Sequence, residues 1–520
     1  MNFLEKIFSI KNNNEKTHKI ITFAGLKLKV KRKEKIQKIT LCGDVKKKKL
    51  FYENIVNAII RDVVPVEIYI KPKEEKILFE NYTNTCSKLD PMGTILIKDN
   101  KIYRGIYKEK CNYFLELWQK GIIQSLIKHN IIVETGITDF YTDEFPIILE
   151  TKKLSMVSPH FWSYSMLKDT AINTSILLKV LNYYGYTLCD GHSGNTRFDN
   201  NKAKWIDLGS ITELKKSGAI DEVITGQLVQ LCMLSLSKKY YFGHRLYRES
   251  NNTLCSDISF IRSIEYENII SNFLRNCNIK AKKIAKKLLK KRKLEPEYIE
   301  TLFNYKNNVT IWSNYTTWDN ESLDNVSENN RYLKTIELIK KYASDVKSCI
   351  DLAGNSGYFS VLLRKNTNIE NLISADYDED AVEYGISHCK KNNINVNLAL
   401  FNFMIPTETH ALNDLKSDIA IALAVTHHLI LTQGYNINSI FDMITKYTSK
   451  YALIEFCPLG MYCGGDILPQ VPDWYTQEWF EENLKKVFDI KEVKITNKVI
   501  IQGKEYAHRI AYMCELKRYN

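Results

Sequence analysis

No two of the 12 cysteines stand in a C-x-x-C pair, which excludes a zinc ribbon and a thioredoxin-type redox motif. A cytosolic chain with reduced thiols follows most simply. No apolar run reaches the ~18 residues needed to span a bilayer. No secretory signal is recognisable at Met1, where charged and apolar residues alternate instead of separating. What the chain does have is size: 520 residues, 44% of them hydrophobic, enough for two or more domains with sizeable cores. The formal net charge of +13 is compatible with nucleic acid, an anionic membrane or an acidic glycan. Abundant Lys, Asn and Ile are also what an AT-rich genome would encode, so charge alone selects no partner.

The most informative stretch is Asp351-Leu-Ala353-Gly354-Asn355-Ser-Gly357-Tyr-Phe359. An apolar run precedes it and a helical pattern follows, which is the opening of a βαβ unit that binds a ligand at its strand end. Small residues are needed there because the ligand lies against the backbone. Asp376 ends the next apolar strand, with Tyr377 after it, and its carboxylate can accept hydrogen bonds from both hydroxyls of a ribose. Two ligands have that ribose. A dinucleotide needs G-x-G-x-x-G to hold its pyrophosphate, and only Gly354 and Gly357 are present. S-adenosylmethionine (SAM) carries a sulfonium and an amino acid instead, which Asp351 suits and a pyrophosphate does not. SAM is the ligand this pattern favours. A plain α/β domain whose glycines only make a turn stands as the bland alternative.

Taken in order, residues 1–88 form a leader and a small α/β segment. Ile20–Val30 alternates like a strand or hairpin, a helix is expected over Leu50–Val63 and a strand over Val66–Ile70. Residues 89–305 begin with a hairpin around Asp99-Asn100. Asp190, Asn195 and Asp207 then follow at the separations that protein-kinase-like enzymes use for a catalytic Asp, a metal-binding Asn and a D-x-G metal ligand. His192 and Arg197 are near enough to contact a phosphate. The nucleotide half is missing: there is no G-x-G-x-x-G loop and no V-A-I-K strand, with Arg104 and Glu116 as a substitute ion pair. Either the region transfers phosphoryl groups or these residues now only stabilise a loop. Asn278–Lys293 is a basic helix ended by Pro296, open to membrane, RNA or plain solvent. Residues 306–330 are a linker with Trp312, Tyr315 and Trp318, which close over a ligand or pack a junction.

From 331 to 520 strands and helices alternate, with strands expected at Ser348–Asp351, Leu372–Asp376, Val396–Phe401, Asp418–Ala424, Tyr451–Phe456, Ile490–Thr496 and His508–Cys514. This predicts a mainly parallel, doubly wound sheet. Asn402 and Phe403, after the third strand, can meet an adenine edge and face. Ala424 ends the fourth strand and leads into His427 and His428, either of which can take a proton from a hydroxyl acceptor. Glu455, at the end of the fifth, is the rival base. Cys457 and Cys463 lack metal-like partners, so no metal site is expected.

Together these stretches resemble the bacterial class I methyltransferases related to the rhizobial host-specific nodulation protein. The resemblance covers about residues 90–515 and rests on Asp90-Pro-Met-Gly93, Lys101–Arg104, Ser163–Asp169, Leu188–Asn195, Trp205–Ser210, Asp351–Gly357, Ala422–Leu429 and Leu453–Phe456. It implies a seven-stranded Rossmann-like class I methyltransferase domain with SAM as cofactor, preceded by an α+β kinase-like domain. Asn402 stands where Asp is usual in that group. The leader resembles those on bacterial enzymes of surface-polysaccharide assembly, and the domain combination resembles O-antigen chain-terminating enzymes. The expected activity is O-methylation of a cell-surface saccharide or its lipid-linked precursor, with possible peripheral contact at the inner face of the membrane. A bifunctional kinase–methyltransferase and an RNA methyltransferase are the alternatives, although the N-P-P-Y-type motif for methylating a flipped base is absent. The oligomeric state is not legible.

Overall fold

The alternation around Ile20 folds as an antiparallel sheet, β1 (Phe8–Asn12), β2 (His18–Phe23) and β3 (Leu26–Lys31), in strand order. It belongs to the first of two compact units, Met1–Glu53 and Asn54–Asn520. The computed structural model describes residues 8–12, 18–23, 26–31, 41–68, 80–81, 90–99, 101–154, 157–214, 223, 227, 231, 295–302, 312, 330–404, 412–413 and 415–517. The basic stretch 278–293 and the aromatics Tyr315 and Trp318 lie outside the described residues. The helix expected from Leu50 runs over Leu41–Arg61. The strand expected at Val66–Ile70 does not form across 66–68. Pro65 supplies no ladder donor there, and the Val66 amide donates to the Gln119 carbonyl at 2.9 Å.

The second unit opens with a five-stranded antiparallel sheet. Its strands are β4 (Glu80–Asn81), β5 (Gly93–Lys98), β6 (Lys101–Ile106), β7 (Thr135–Ile137) and β8 (Ile147–Thr151), in the order β4-β5-β6-β8-β7. Asp99 takes the left-handed conformation (φ 50°) that the β5–β6 turn requires. After the helix Tyr164–Tyr183 come two small antiparallel ladders. One pairs β9 (Tyr186–Leu188) with β12 (Ile211–Glu213), the other β10 (Thr196–Asp199) with β11 (Lys202–Trp205). Pro296 starts the helix Pro296–Leu302, while the basic helix expected to end before it lies outside the described residues. Proline suits the first helical turn, where its missing N–H has no partner to lose.

The seven strands expected after residue 331 are all present: β13 (Ser348–Leu352), β14 (Asn371–Asp376), β15 (Asn397–Leu400), β16 (Ser417–Ala422), β17 (Thr448–Phe456), β18 (Phe488–Ile501) and β19 (Lys504–Leu516). They form one sheet in the order β15-β14-β13-β16-β17-β19-β18. The first five are parallel, and the late pair, joined without a helix, is antiparallel. Strands β13–β16 are buried along nearly their whole length, as a parallel sheet covered on both faces requires. β18 alternates half-buried and exposed residues, with Lys491, Lys494 and Lys498 blunting the open edge.

The two halves of the second unit share one core, running from Phe161 and Trp162 to Phe401 and Tyr447. The helix Tyr164–Tyr183 has no side-chain cap of its own. Its free amides at Tyr164 and Ser165 donate to Glu379 (3.1 Å) and Glu383 (2.8 Å) on the helix Glu379–Asn392. Acids of one half therefore satisfy orphan donors of the other, and their charge complements that helix end. An ion pair of Lys390 with Asp169 and a bond from Asn201 Nδ2 to the Val396 carbonyl (2.8 Å) extend this seam.

Candidate active site

β13 and β16 are neighbours from which the chain turns opposite ways, to β14 and β15 on one flank and to β17 and β19 on the other. Ligands of open parallel sheets bind at the carboxyl ends of strands at such a switch. The backbone is strained there. Ala353 (φ 57°) and Asn355 (φ 53°) follow β13 and Ala424 (φ 52°) follows β16, all left-handed. For alanine this conformation costs roughly 1–2 kcal/mol, and such strain gathers where function dictates the backbone path.

The two glycines of the turn are needed for different reasons. Gly357 has a positive φ of 83°. Gly354 does not, but a Cβ on it would sit 2.4 Å from Ser374 Oγ and 2.8 Å from Asp351 Oδ2. The turn therefore lies directly on two buried side chains. Asp351 is 1% exposed, accepts a hydrogen bond from the Ser360 hydroxyl (2.9 Å), and is pushed up to about 7 by burial. Asp376 accepts from the amides of Asn355 (2.7 Å) and Asp378 (2.8 Å). Burial pushes it up to about 6 against the pull of those amides.

Along the strand ends Ala353, Gly354, Asn355, Asn402 and Ala424 are partly open and Tyr377 is exposed, so the carboxyl ends of β15, β14, β13 and β16 are accessible side by side. Asn402 Oδ1 accepts from the Met404 amide (2.9 Å), while Phe403 is buried in the core. Asn355 Oδ1 is buried without a hydrogen-bond partner, while its Nδ2 donates to the Trp312 carbonyl (3.0 Å). A vacant acceptor above two carboxylates suits a cationic amino-acid group. Residues 351–358 contain no Lys or Arg to hold a pyrophosphate.

A second cluster adjoins the first. Glu455, 1% exposed, receives Arg331 Nη1 on both oxygens (3.2 Å each), Arg509 Nη1 (3.2 Å) and the Ala424 amide (2.9 Å). Arg509 Nη1 also reaches Cys457 Sγ at 2.8 Å. His427 begins a wide helical turn, His428–Thr432, of the kind that recurs at functional sites. His427 is 3% exposed, and burial with the positive charges around it pushes it down to about 2. His428 is partly open, is lowered by burial, and meets the Trp312 ring edge-on at 4.9 Å. Among the described residues no group of three or more His, Cys, Asp or Glu is placed to hold a metal.

No protein-family model matches the chain, and no curated protein does. Solved structures resemble part of it. A SAM-dependent methyltransferase from Clostridium acetobutylicum is 13% identical and covers 37% of this chain and 93% of its own, with a TM-score of 0.27. The magnesium protoporphyrin IX methyltransferase of Synechocystis, solved with bound SAM, is 10% identical over 41% of this chain and 100% of its own, with a TM-score of 0.27. A SAM-dependent methyltransferase from Aquifex aeolicus is 12% identical over 39% and 100%, with a TM-score of 0.25.

Asp190, Asn195 and Asp207 lie on the loops around the β10–β11 hairpin. Asp207 Oδ1 accepts from Arg104 Nη2 (2.8 Å) and the Gly209 amide (3.0 Å). Asp190 pairs with His192 at 3.1 Å, and Asn195 Nδ2 is buried without a partner. Arg197 Nη1 donates to the carbonyls of Gly194 (2.6 Å) and Thr196 (2.7 Å). The Arg104–Glu116 pair is not formed. Glu116 bonds Lys120 four residues along its own helix, and Arg104 pairs with Asp90 and Asp207. A Cβ on Gly209 would lie 2.2 Å from Asp90 Oδ1, so this glycine makes room for that carboxylate.

The sequence reading passed over Arg331 and Arg509. A signal existed for the second, since His508-Arg509 is a polar pair opening the otherwise apolar run Ile510–Cys514. Arg331 carried none, because its partner is 124 residues away.

Proposed function

We propose that the chain is a SAM-dependent methyltransferase acting on a hydroxyl of a cell-surface saccharide or its lipid-linked precursor. The observation that carries the cofactor reading is the pinned turn at the sheet's switch point. Asp376 ties the Asn355 amide down beside a vacant buried acceptor, in a turn whose residues 351–358 contain no Lys or Arg. Asp376 would hold the ribose, Asn355 Oδ1 the amino group, and Tyr377, Asn402 and Ala424 the walls. SAM supplies an electrophilic methyl on a sulfonium. A hydroxyl acceptor must lose its proton as the methyl arrives, and on this reading His428, the more open of the two histidines, takes it. His427 holds a proton poorly at its buried position, and Glu455 is committed to two guanidiniums and an amide. The saccharide reading rests on the resemblance of the leader and of the motifs quoted above.

The kinase-like region, on this reading, presents the acceptor and does not transfer phosphate. Where a D-x-G metal ligand needs a free carboxylate, Asp207 already shares an oxygen with a guanidinium, a fixed cation in a cation's place. Calorimetry on the full chain should show SAM binding, and NAD binding in its place would overturn the cofactor assignment. With labelled methyl donor and a glycan extract, His428→Ala should lower transfer by ~10²-fold or more at unchanged SAM affinity. Label entering RNA or protein alone would overturn the acceptor class.

A further inference from the structure

Trp312 is an aromatic residue that the cofactor reading leaves unused, and it touches both parts of the site. Its backbone carbonyl accepts Nδ2 of Asn355 at 3.0 Å. Its ring meets the His428 ring edge-on, with centroids 4.9 Å apart and planes at 85°. Asn355 belongs to the turn after β13 and His428 to the wide helical turn after β16, so one residue joins the ends of two neighbouring strands. Each contact fixes an orientation. A side-chain amide can turn over, exchanging its oxygen for its NH2. Turned over, Asn355 would set Oδ1 against the Trp312 carbonyl, oxygen to oxygen, with no proton between them. The carbonyl therefore keeps Nδ2 toward itself and leaves Oδ1 as the buried acceptor without a hydrogen-bond partner. The backbone of Asn355 is held as well, its amide donating to Asp376 at 2.7 Å. His428 is bounded by two rings, that of Trp312 and that of His427 at 4.2 Å, which restrict its rotation. Methyl transfer needs the donor and the proton acceptor in one fixed relation, since a misplacement of ~1 Å can cost ~10²-fold in rate.

We propose that Trp312 is a positioning residue that registers the cofactor against the histidine. Its carbonyl presents Asn355 Oδ1 to the amino group of SAM, and its ring fixes His428 beside the methyl donor. The proposal rests on the SAM reading for the ligand and on the two contacts for the coupling. Occupancy of the Asn355 acceptor is felt at the His428 contact, and by linkage the ring at position 312 contributes to SAM affinity.

Two measurements on the full chain test this, with SAM as the probe and thermal melting to confirm that each variant is folded. The first is calorimetry. Trp312→Gly releases the carbonyl from its ring and should weaken SAM about tenfold, the worth of one strong hydrogen bond. Trp312→Phe keeps an aromatic ring against His428 and should recover most of that loss. The second is fluorescence, with the emission of Trp312 taken as the difference between wild type and Trp312→Phe. A protonated imidazole quenches an indole that it touches. His427 and Arg509 are the titratable and charged groups that act on His428, and burial with Arg509 lowers it from its ordinary 6.5. Quenching should therefore set in below that pH, be absent from His428→Gln, and change when SAM is added. Three results overturn the proposal and leave the cofactor reading standing, provided calorimetry shows SAM bound to wild type. They are a folded Trp312→Gly that binds SAM as wild type does, Trp312 emission unaltered by His428→Gln, and Trp312 emission unaltered by SAM. Failure of wild type to bind SAM refutes the cofactor reading and the proposal with it.

Discussion

Replacing Asp376 by asparagine should separate binding from folding. In the folded chain this carboxyl sits at about 6, raised by burial from its ordinary 3.8. At ~1.4 kcal/mol per pH unit, that difference is worth about 3 kcal/mol against folding once the group is ionised. Below pH 3.8 both folded and unfolded states are protonated and the term vanishes. As pH rises from there through about 6 the unfolded chain ionises first, stability falls, and above that the full cost is in force. Asparagine never ionises, so the cost disappears. In exchange its NH2 faces one of the two backbone amides that now donate to the carboxylate, from Asn355 or Asp378, and a buried unsatisfied donor costs roughly 1–3 kcal/mol. The two effects nearly cancel. Urea denaturation at pH 7 should place Asp376→Asn within about 2 kcal/mol of wild type, and the variant's decline in stability between pH 4 and 6 should be shallower than that of wild type, with the contributions of Asp351 and Glu383 remaining. SAM affinity, in contrast, should fall by roughly 1–3 kcal/mol, because the ribose loses a charged acceptor and the turn loses its anchor. A variant destabilised by well over 3 kcal/mol would show the carboxylate to be a net stabiliser and the sign of the reasoning wrong. Undiminished SAM binding would remove Asp376 from the site.

Gly354→Ala should cost about 1–3 kcal/mol by overpacking, and trimming Ser374 to Gly in the same chain should recover most of it, read by denaturant midpoint. Ala424→Gly should stabilise by up to about 1 kcal/mol, since relief of left-handed strain exceeds the added chain entropy. A drop in its melting temperature would show the conformation to be unstrained. Glu383→Gln should weaken the seam between the two halves by about 1 kcal/mol, the usual size of a lost helix cap. Burial and the neighbouring Glu379 raise Glu383 to about 7, so wild-type stability should fall as pH rises from 4.5 to 7, and the variant should flatten that slope.

The sequence by itself determined the seven strands and their alternation with helices, because buried parallel strands are written as continuous apolar runs such as Leu372–Ala375. It also determined the turn after Asp351 and the hairpin at Asp99, since backbone conformation demands particular residue types at short range. Only the tertiary structure decided which of these groups are free. Glu455 read as a base until Arg331, 124 residues earlier, and Arg509, 54 later, were found on its oxygens. His427 and His428 are adjacent and alike in sequence, yet burial separates them, leaving one closed and the other partly open. Gly354 read as room for a ligand, and its nearest neighbours proved to be Ser374 and Asp351 beneath it. Glu379 and Glu383 carry no signal in the sequence, and they are the cap of a helix some 215 residues away. Charge pairing and desolvation act across space, and spacing along a chain records only what neighbours on one strand, turn or helix can do.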